Sequence, residues 1–158
     1  MDVSNMPTKS ANLLLQLLGD FPSITFESGD EFMWAPHKNT VFYGQLSNTE
    51  SLLSLLHETS HGILGHTHYK SDIELVGLEL EAWEQTRKLA KKYQVDADNQ
   101  HIEDCMDTYR NWLHRRSLCP HCDLSGIQID NSTYSCTFCH LEWSVSSARF
   151  CRPYRRVA

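Results

Sequence analysis

The sequence predicts an α+β fold, and three of its features do so. Runs rich in β-branched and aromatic residues alternate with turn formers before residue 45, three later segments carry apolar residues at the helical period, and two Cys-x-x-Cys pairs follow residue 117. A short antiparallel sheet with three or four helices, then a small cysteine-held module, accounts for all three. The 158 residues, 41% hydrophobic and 22% charged, suffice for one core of ordinary size. No stretch approaches the roughly 20 apolar residues that a spanning helix needs, so no membrane partner is expected.

In chain order, residues 1–10 are polar and are expected to be disordered. Ala11 to Gly19 reads as a leucine-rich helix closed by its glycine. Ser23–Phe26, Phe32–Trp34 and Thr40–Tyr43 read as the strands of the antiparallel sheet, separated by the turn signals Ser28-Gly29-Asp30 and Pro36-His37-Lys38-Asn39. Ser47-Asn48-Thr49-Glu50 has the form of a capping box and starts a helix whose apolar face is Leu52, Leu53, Leu55, Leu56, Ile63 and Leu64. A second box, Ser71-Asp72-Ile73-Glu74, opens a helix that runs to about Tyr93. A further helix from about Asp98 to Arg116 aligns Ile102, Cys105, Met106, Tyr109, Trp112 and Leu113 on one stripe, with Cys105 expected as a buried thiol.

The first long helix contains His57-Glu58-Thr59-Ser60-His61, an HExxH motif. Four residues apart, the two imidazoles share one face of a helix one turn from each other, the spacing that holds a single zinc ion. Given 9 His and 10 Glu in the chain, chance supplies such a pentapeptide about 3% of the time. Glu58 lies further round, beside the metal position rather than on it, as suits a general base that takes a proton from metal-bound water.

Catalytic zinc takes three protein ligands and keeps a fourth position for water, so a third ligand is needed. The metzincin register would put His at 67, where the chain has Thr67. On the next helix Leu75, Val76, Leu78, Ala82, Trp83, Thr86, Leu89 and Ala90 share one side, and Glu79 falls near its middle. A carboxylate there is costly unless it pairs with a cation, either a metal ion or a base such as Arg87. Glu81 falls on the polar face and is expected to be solvated.

The string HETSHGILGH at residues 57–66, followed by a helix reading ELEAWEQTRKLA at residues 79–90, resembles the gluzincin metallopeptidases of the ImmA/IrrE type. The resemblance covers roughly residues 40–90. It implies a zincin-like domain, here residues 11–116, with His57, His61 and Glu79 as zinc ligands and Glu58 as the catalytic base. It also implies peptide-bond hydrolysis and a protein or peptide substrate.

Cys119-Pro120-His121-Cys122 and Cys136-Thr137-Phe138-Cys139 are separated by 13 residues, the spacing of a Cys₄ zinc ribbon, expected over residues 117–145. Ile127–Asp130 and Tyr134-Ser135 read as its hairpin, with Asn131-Ser132 in the turn. His121 and His140 are substitute ligands that four cysteines make unnecessary. Leu13 to Leu18 is too short and too polar at Gln16 for a secretory leader. A reducing, cytoplasmic setting is therefore expected, with thiolates rather than disulfides. Two zinc ions follow as cofactors, one catalytic and one structural.

Charge divides along the chain. Residues 1–109 carry 7 basic and 17 acidic side chains, a balance of −10, and residues 110–158 carry 7 and 3, a balance of +4. Residues 146–158 form a basic tail in which Arg149, Arg152, Arg155 and Arg156 interleave with Phe150 and Tyr154; such a tail either grips nucleic acid or is simply solvated. Three functional classes result. The first is a zinc endopeptidase whose edge strand, taken as Thr40–Tyr43, aligns the substrate, with Tyr69, His66, His68 and His101 as candidate oxyanion donors. The second is a nucleic-acid-associated protease that resembles SprT-type proteins. The third is a non-catalytic, zinc-stabilised interaction module, against which an intact Glu58 argues.

Overall fold

The computed structural model describes residues 7–147 and 155–157. They divide into two compact units: one runs to Thr67 and resumes over Leu80–Asn99, and the other takes His68–Glu79 and continues from Gln100. No helix among the described residues is long and apolar enough to cross a membrane.

The first unit opens with α1 (Thr8–Asp20), which begins inside the stretch expected to lack structure; residues 1–6 lie outside the described residues. Ser10 is the reason the helix reaches back so far. Its hydroxyl donates to Leu46 O at 2.8 Å and is buried beside Leu13, Leu14 and Leu17. Strands β1 (Thr25–Ser28), β2 (Met33–Ala35) and β3 (Thr40–Tyr43) form a three-stranded sheet in the order β1-β3-β2. β2 and β3 are antiparallel, with Trp34 opposite Val41, whereas β1 and β3 are parallel, with Phe26 opposite Val41. The sheet is therefore mixed, and β3 is its central strand, not an edge. A 3-10 turn at Pro36–Lys38, closed by Asn39 in the left-handed region, folds β3 back between the other two.

Helix α2 (Thr49–Leu64) lies against β3 and β2. Its cap is Asn48 rather than Ser47: Asn48 Oδ1 accepts from Ser51 N at 2.8 Å and Ser51 Oγ accepts from Asn48 N at 3.1 Å, a capping box set one residue later than expected. Gly65 ends the helix at φ 68°, and His66 N donates back to His61 O at 3.0 Å. Leu53, Leu55 and Leu56 of α2 pack with Leu14, Leu17, Phe26 and Val41 into the core of this unit. Helix α3 (Asp72–Tyr93) is continuous across the division between units, and Leu89 and Ala90 from its second half join the same core. At its start Ser71 Oγ accepts from Glu74 N at 3.3 Å, but the Glu74 carboxylate takes Lys70 N rather than completing the box.

The second unit contains the start of α3, helix α4 (Asn99–Ser117) and a four-stranded antiparallel sheet ordered β4-β5-β6-β7. The expected hairpin is β4 (Gly126–Gln128) with β5 (Thr133–Cys136); β6 (Glu142–Val145) and β7 (Arg155–Val157) extend it. Two of the tail arginines are thus in a strand, and Arg155 Nη1 donates to Leu118 O at 2.7 Å. Arg149, Phe150, Cys151, Arg152 and Tyr154 lie outside the described residues. Gly126 is fixed by close approach. A Cβ there would stand 2.6 Å from Ser135 O, which is backbone and cannot turn aside, and 2.4 Å from the ring of Trp143.

A buried ion pair ties this unit together. Arg116 of α4 binds both carboxylate oxygens of Asp72 at the start of α3. Tyr134 OH of β5 donates to Asp72 Oδ2 at 2.6 Å, and Gln128 of β4 both donates to Asp72 Oδ1 at 3.3 Å and accepts from Asp72 N at 2.7 Å. Burial, then the bond to Asp72, raises the Tyr134 pKa and keeps its hydroxyl a donor. Arg116 also donates to the carbonyls of Ser146 and Asn131, and its plane lies 4.4 Å from the Trp112 ring. Buried charges are tolerated only when satisfied in this way. Arg116→Leu is expected to destabilise the unit by about 3–5 kcal/mol in urea unfolding, and Asp72→Leu similarly. The double replacement should be much less harmful than the sum, because no uncompensated charge is left buried. Additive losses would show that the ion pair is not the cross-link.

Candidate metal centres

The first centre grows from α2. Because His57 and His61 are one helical turn apart, their Nε2 atoms face each other at 3.2 Å, with the rings edge to face. Two ligands on a tetrahedral zinc ion at 2.0–2.1 Å would be about 3.3–3.4 Å apart, so the separation fits a shared ion. His57 is backed by Trp83, stacked at 4.1 Å, and is buried. Glu79, also buried, completes the group: one ligand atom from each of His57, His61 and Glu79 lies within 4.8 Å of the others. The carboxylate that the helical pattern singled out is thus brought to the histidines.

Glu58 is held separately from these three. Its Oε2 accepts the backbone N–H of Trp34 at 2.7 Å, so strand β2 fixes the orientation of a carboxylate on α2. Trp34 is anchored at its other end by Nε1, which donates to His66 O at 2.8 Å. Gly62 makes the contact close, since a Cβ at that position would meet Ile24 Cδ1 at 2.9 Å and the Trp34 ring at 3.1 Å, and both side chains would have to shift to admit it. Neither Trp34 nor Gly62 was singled out by sequence reasoning. The available signal was a glycine in a helix interior directly after the HExxH motif, which commonly marks a close packing contact.

Two further side chains extend this centre. His66 is buried, and its Nδ1 lies 2.9 Å from His61 Nδ1. Its Nε2 lies 3.4 Å from Glu81 Oε2. Glu81 is mostly solvated, as its position on the polar face implied. Of the side chains considered as oxyanion donors, His66 is bonded to His61 of the group, while His68, Tyr69 and His101 fall in the second unit.

The second centre is the four-cysteine group. The Sγ atoms of Cys119 and Cys139 are 3.6 Å apart, those of Cys122 and Cys136 3.5 Å, and those of Cys122 and Cys139 3.8 Å. A disulfide needs about 2.05 Å. Tetrahedral Zn–S bonds of 2.3 Å would set an edge of about 3.8 Å, and the observed set fits that. The knuckles are alike in backbone: the residue after each pair, Asp123 and His140, takes positive φ, 56° and 59°. N–H groups of Cys139 and Phe138 point at Cys136 Sγ and lower its pKa to about 6. Cys122 moves the other way, up to about 12, because burial and its thiol neighbours outweigh the backbone bond from Leu124. An electron-rich thiolate is therefore present to take a cation. His121 and His140 are exposed and leave ligation to the cysteines. Cys105 is half-buried rather than fully buried, with Sγ 3.7 Å from His101 Nε2.

No family model matches the chain, and no curated protein or solved structure matches it.

The purified protein is expected to carry two equivalents of metal by elemental analysis. Glu79→Gln should remove the more easily chelated equivalent and leave the other, whereas Cys136→Ser should remove the resistant one and loosen the sheet of the second unit. A single equivalent in the parent protein would sink one of the two centres.

Proposed function

We propose that the protein is a zinc-dependent endopeptidase of the gluzincin kind, with a second zinc in a structural ribbon. The observation that carries this reading is the placement of Glu58. A purely structural metal group has no need of a carboxylate one residue from its first ligand, held by the backbone of a neighbouring strand. Zinc bound by His57, His61 and Glu79 would supply Lewis acidity at a scissile carbonyl and make water acidic enough to lose a proton near neutral pH.

The chain's own residues supply the rest. Glu58 accepts the proton of the attacking water and delivers it to the departing amine nitrogen, so its carboxylate must be held close yet uncoordinated. Trp34 N–H provides that hold through Oε2. β2 is an edge strand of the order β1-β3-β2, and in this reading an extended peptide aligns beside it by strand addition; the role given to Thr40–Tyr43 passes to Met33–Ala35. The substrate is an extended protein segment. The ribbon serves structure or partner binding. No observation favours nucleic acid over protein as that partner, since Arg155 is engaged with Leu118 O and Arg116 is buried.

Glu58→Gln tests the reading. It keeps size and hydrogen bonding but cannot take the proton, so both metal equivalents should remain while hydrolysis of an unfolded polypeptide falls by a factor of about 10² to 10⁴. Identical fragment patterns from the parent and variant, with equal binding of a common partner, would mean a non-catalytic interaction module.

A further inference from the structure

The polar chain behind His61 has a direction. His61 presents Nε2 to His57 Nε2, so its own proton belongs on Nδ1 if Nε2 is a ligand. Nδ1 faces His66 Nδ1 at 2.9 Å. Only one of two facing nitrogens can carry a hydrogen, so His66 must accept there and keep its proton on Nε2. That nitrogen faces Glu81 Oε2 at 3.4 Å. Each hydrogen position follows from the one before it, and the chain ends on a carboxylate.

We propose that His66 and Glu81 are positioning residues for the metal centre: Glu81 fixes the tautomer of His66, and His66 in turn fixes the tautomer and ring orientation of His61. The inference rests on the zinc-site reading of His57, His61 and Glu79. A ligating histidine is normally oriented by a partner on its other nitrogen, most often a carboxylate or a carbonyl. Here an imidazole stands between ligand and carboxylate. The two links are unequal. His66 is 8% exposed, so its bond to His61 is shielded from water; Glu81 is 65% exposed, and its pull on His66 is screened. The inner link should therefore carry most of the effect. The helix end supports the arrangement, because Gly65 turns the chain and the His66 carbonyl is held by Trp34 Nε1 at 2.8 Å, which docks the ring against His61.

The experiment is zinc competition against chelators of graded affinity on the full chain, with the four-cysteine site as internal standard. His66→Leu should weaken the histidine site about 10- to 100-fold and leave the cysteine site unchanged. His66→Gln, whose amide oxygen can still accept from His61 Nδ1–H, should recover most of that loss. Glu81→Leu, which leaves no acceptor for His66 Nε2–H, should weaken the site by about a few-fold in the parent background and by nothing further in His66→Leu, since in the relay it acts through His66. A merely structural His66 would give no rescue by Gln and no loss of the Glu81 effect. The relay is overturned if His66→Leu binds as the parent does, if Gln is as harmful as Leu, or if the Glu81 effect persists without His66. Should His66→Leu fail to fold, Glu81→Leu at its exposed position still decides, and unchanged affinity there removes the relay. A parent protein that holds only the cysteine equivalent would instead overturn the zinc-site reading itself.

Discussion

The close approach of α2 to β2 is the contact on which the first centre depends. Gly62 has no side chain to hold the two apart, and Trp34 uses the space twice, once through its backbone N–H to Glu58 and once through its indole to the His66 carbonyl. A larger residue at position 62 would have to displace the Ile24 side chain and the Trp34 ring. The base and the histidine chain behind His61 are therefore both held by Trp34, whose ring packs beside Gly62. This is how a helix of modest length holds a polar constellation in place: apolar packing fixes the distance, and directed hydrogen bonds use it.

Much of this was legible in the sequence, and the reason is periodicity. A helix repeats every 3.6 residues regardless of context, so the facing of His57 and His61 and the burial of Glu79 followed from spacing alone. The two knuckles were legible because metal ligation imposes its own short spacing. Strand order was not. β1, β2 and β3 were found within two residues of their observed bounds, yet consecutive strands need not be neighbours, and the parallel pairing of β1 with β3 is a long-range choice that no local pattern encodes. The Ser47 box failed for a smaller reason: Asn48 is an equally good cap one residue on, and Ser51 completes the reciprocal bond there. Trp34, His66 and Glu81 come together only through the tertiary fold. β6 was missed although its pattern was local, since Glu142, Trp143, Ser144 and Val145 alternate between exposed and buried as a strand should.

The second unit meets a problem of size. A short sheet has too little apolar area to be stable alone, and its buried set is led by Tyr134 and Trp143, stacked at 5.8 Å, with Cys119 and Cys136 beside them. Two polar devices add to that core. One is the four-cysteine group, which brings together two knuckles far apart in sequence. The other is the Asp72–Arg116 pair, which extends the same principle to α3 and α4, with Tyr134 and Gln128 satisfying the remaining carboxylate positions. Arg116 also ties the ion pair to that core, since its backbone carbonyl accepts from Trp143 Nε1 at 3.0 Å.

The contrast between the two centres carries the functional argument furthest. In the proposed reading, four cysteines close one coordination sphere and leave no place for substrate, while two histidines and one glutamate leave a tetrahedral ion one ligand short. A structural site gains nothing from that vacancy, and a hydrolytic site requires it. The neighbouring groups differ in the same sense. Backbone N–H groups turned toward Cys136 favour its thiolate, the form that would ligate the ion. Around the histidines, by contrast, Glu58 is kept off the ligand set by Trp34, and His61 is backed by a second imidazole. Polar groups arranged beside a metal position, rather than on it, make the first centre the one in which chemistry is expected.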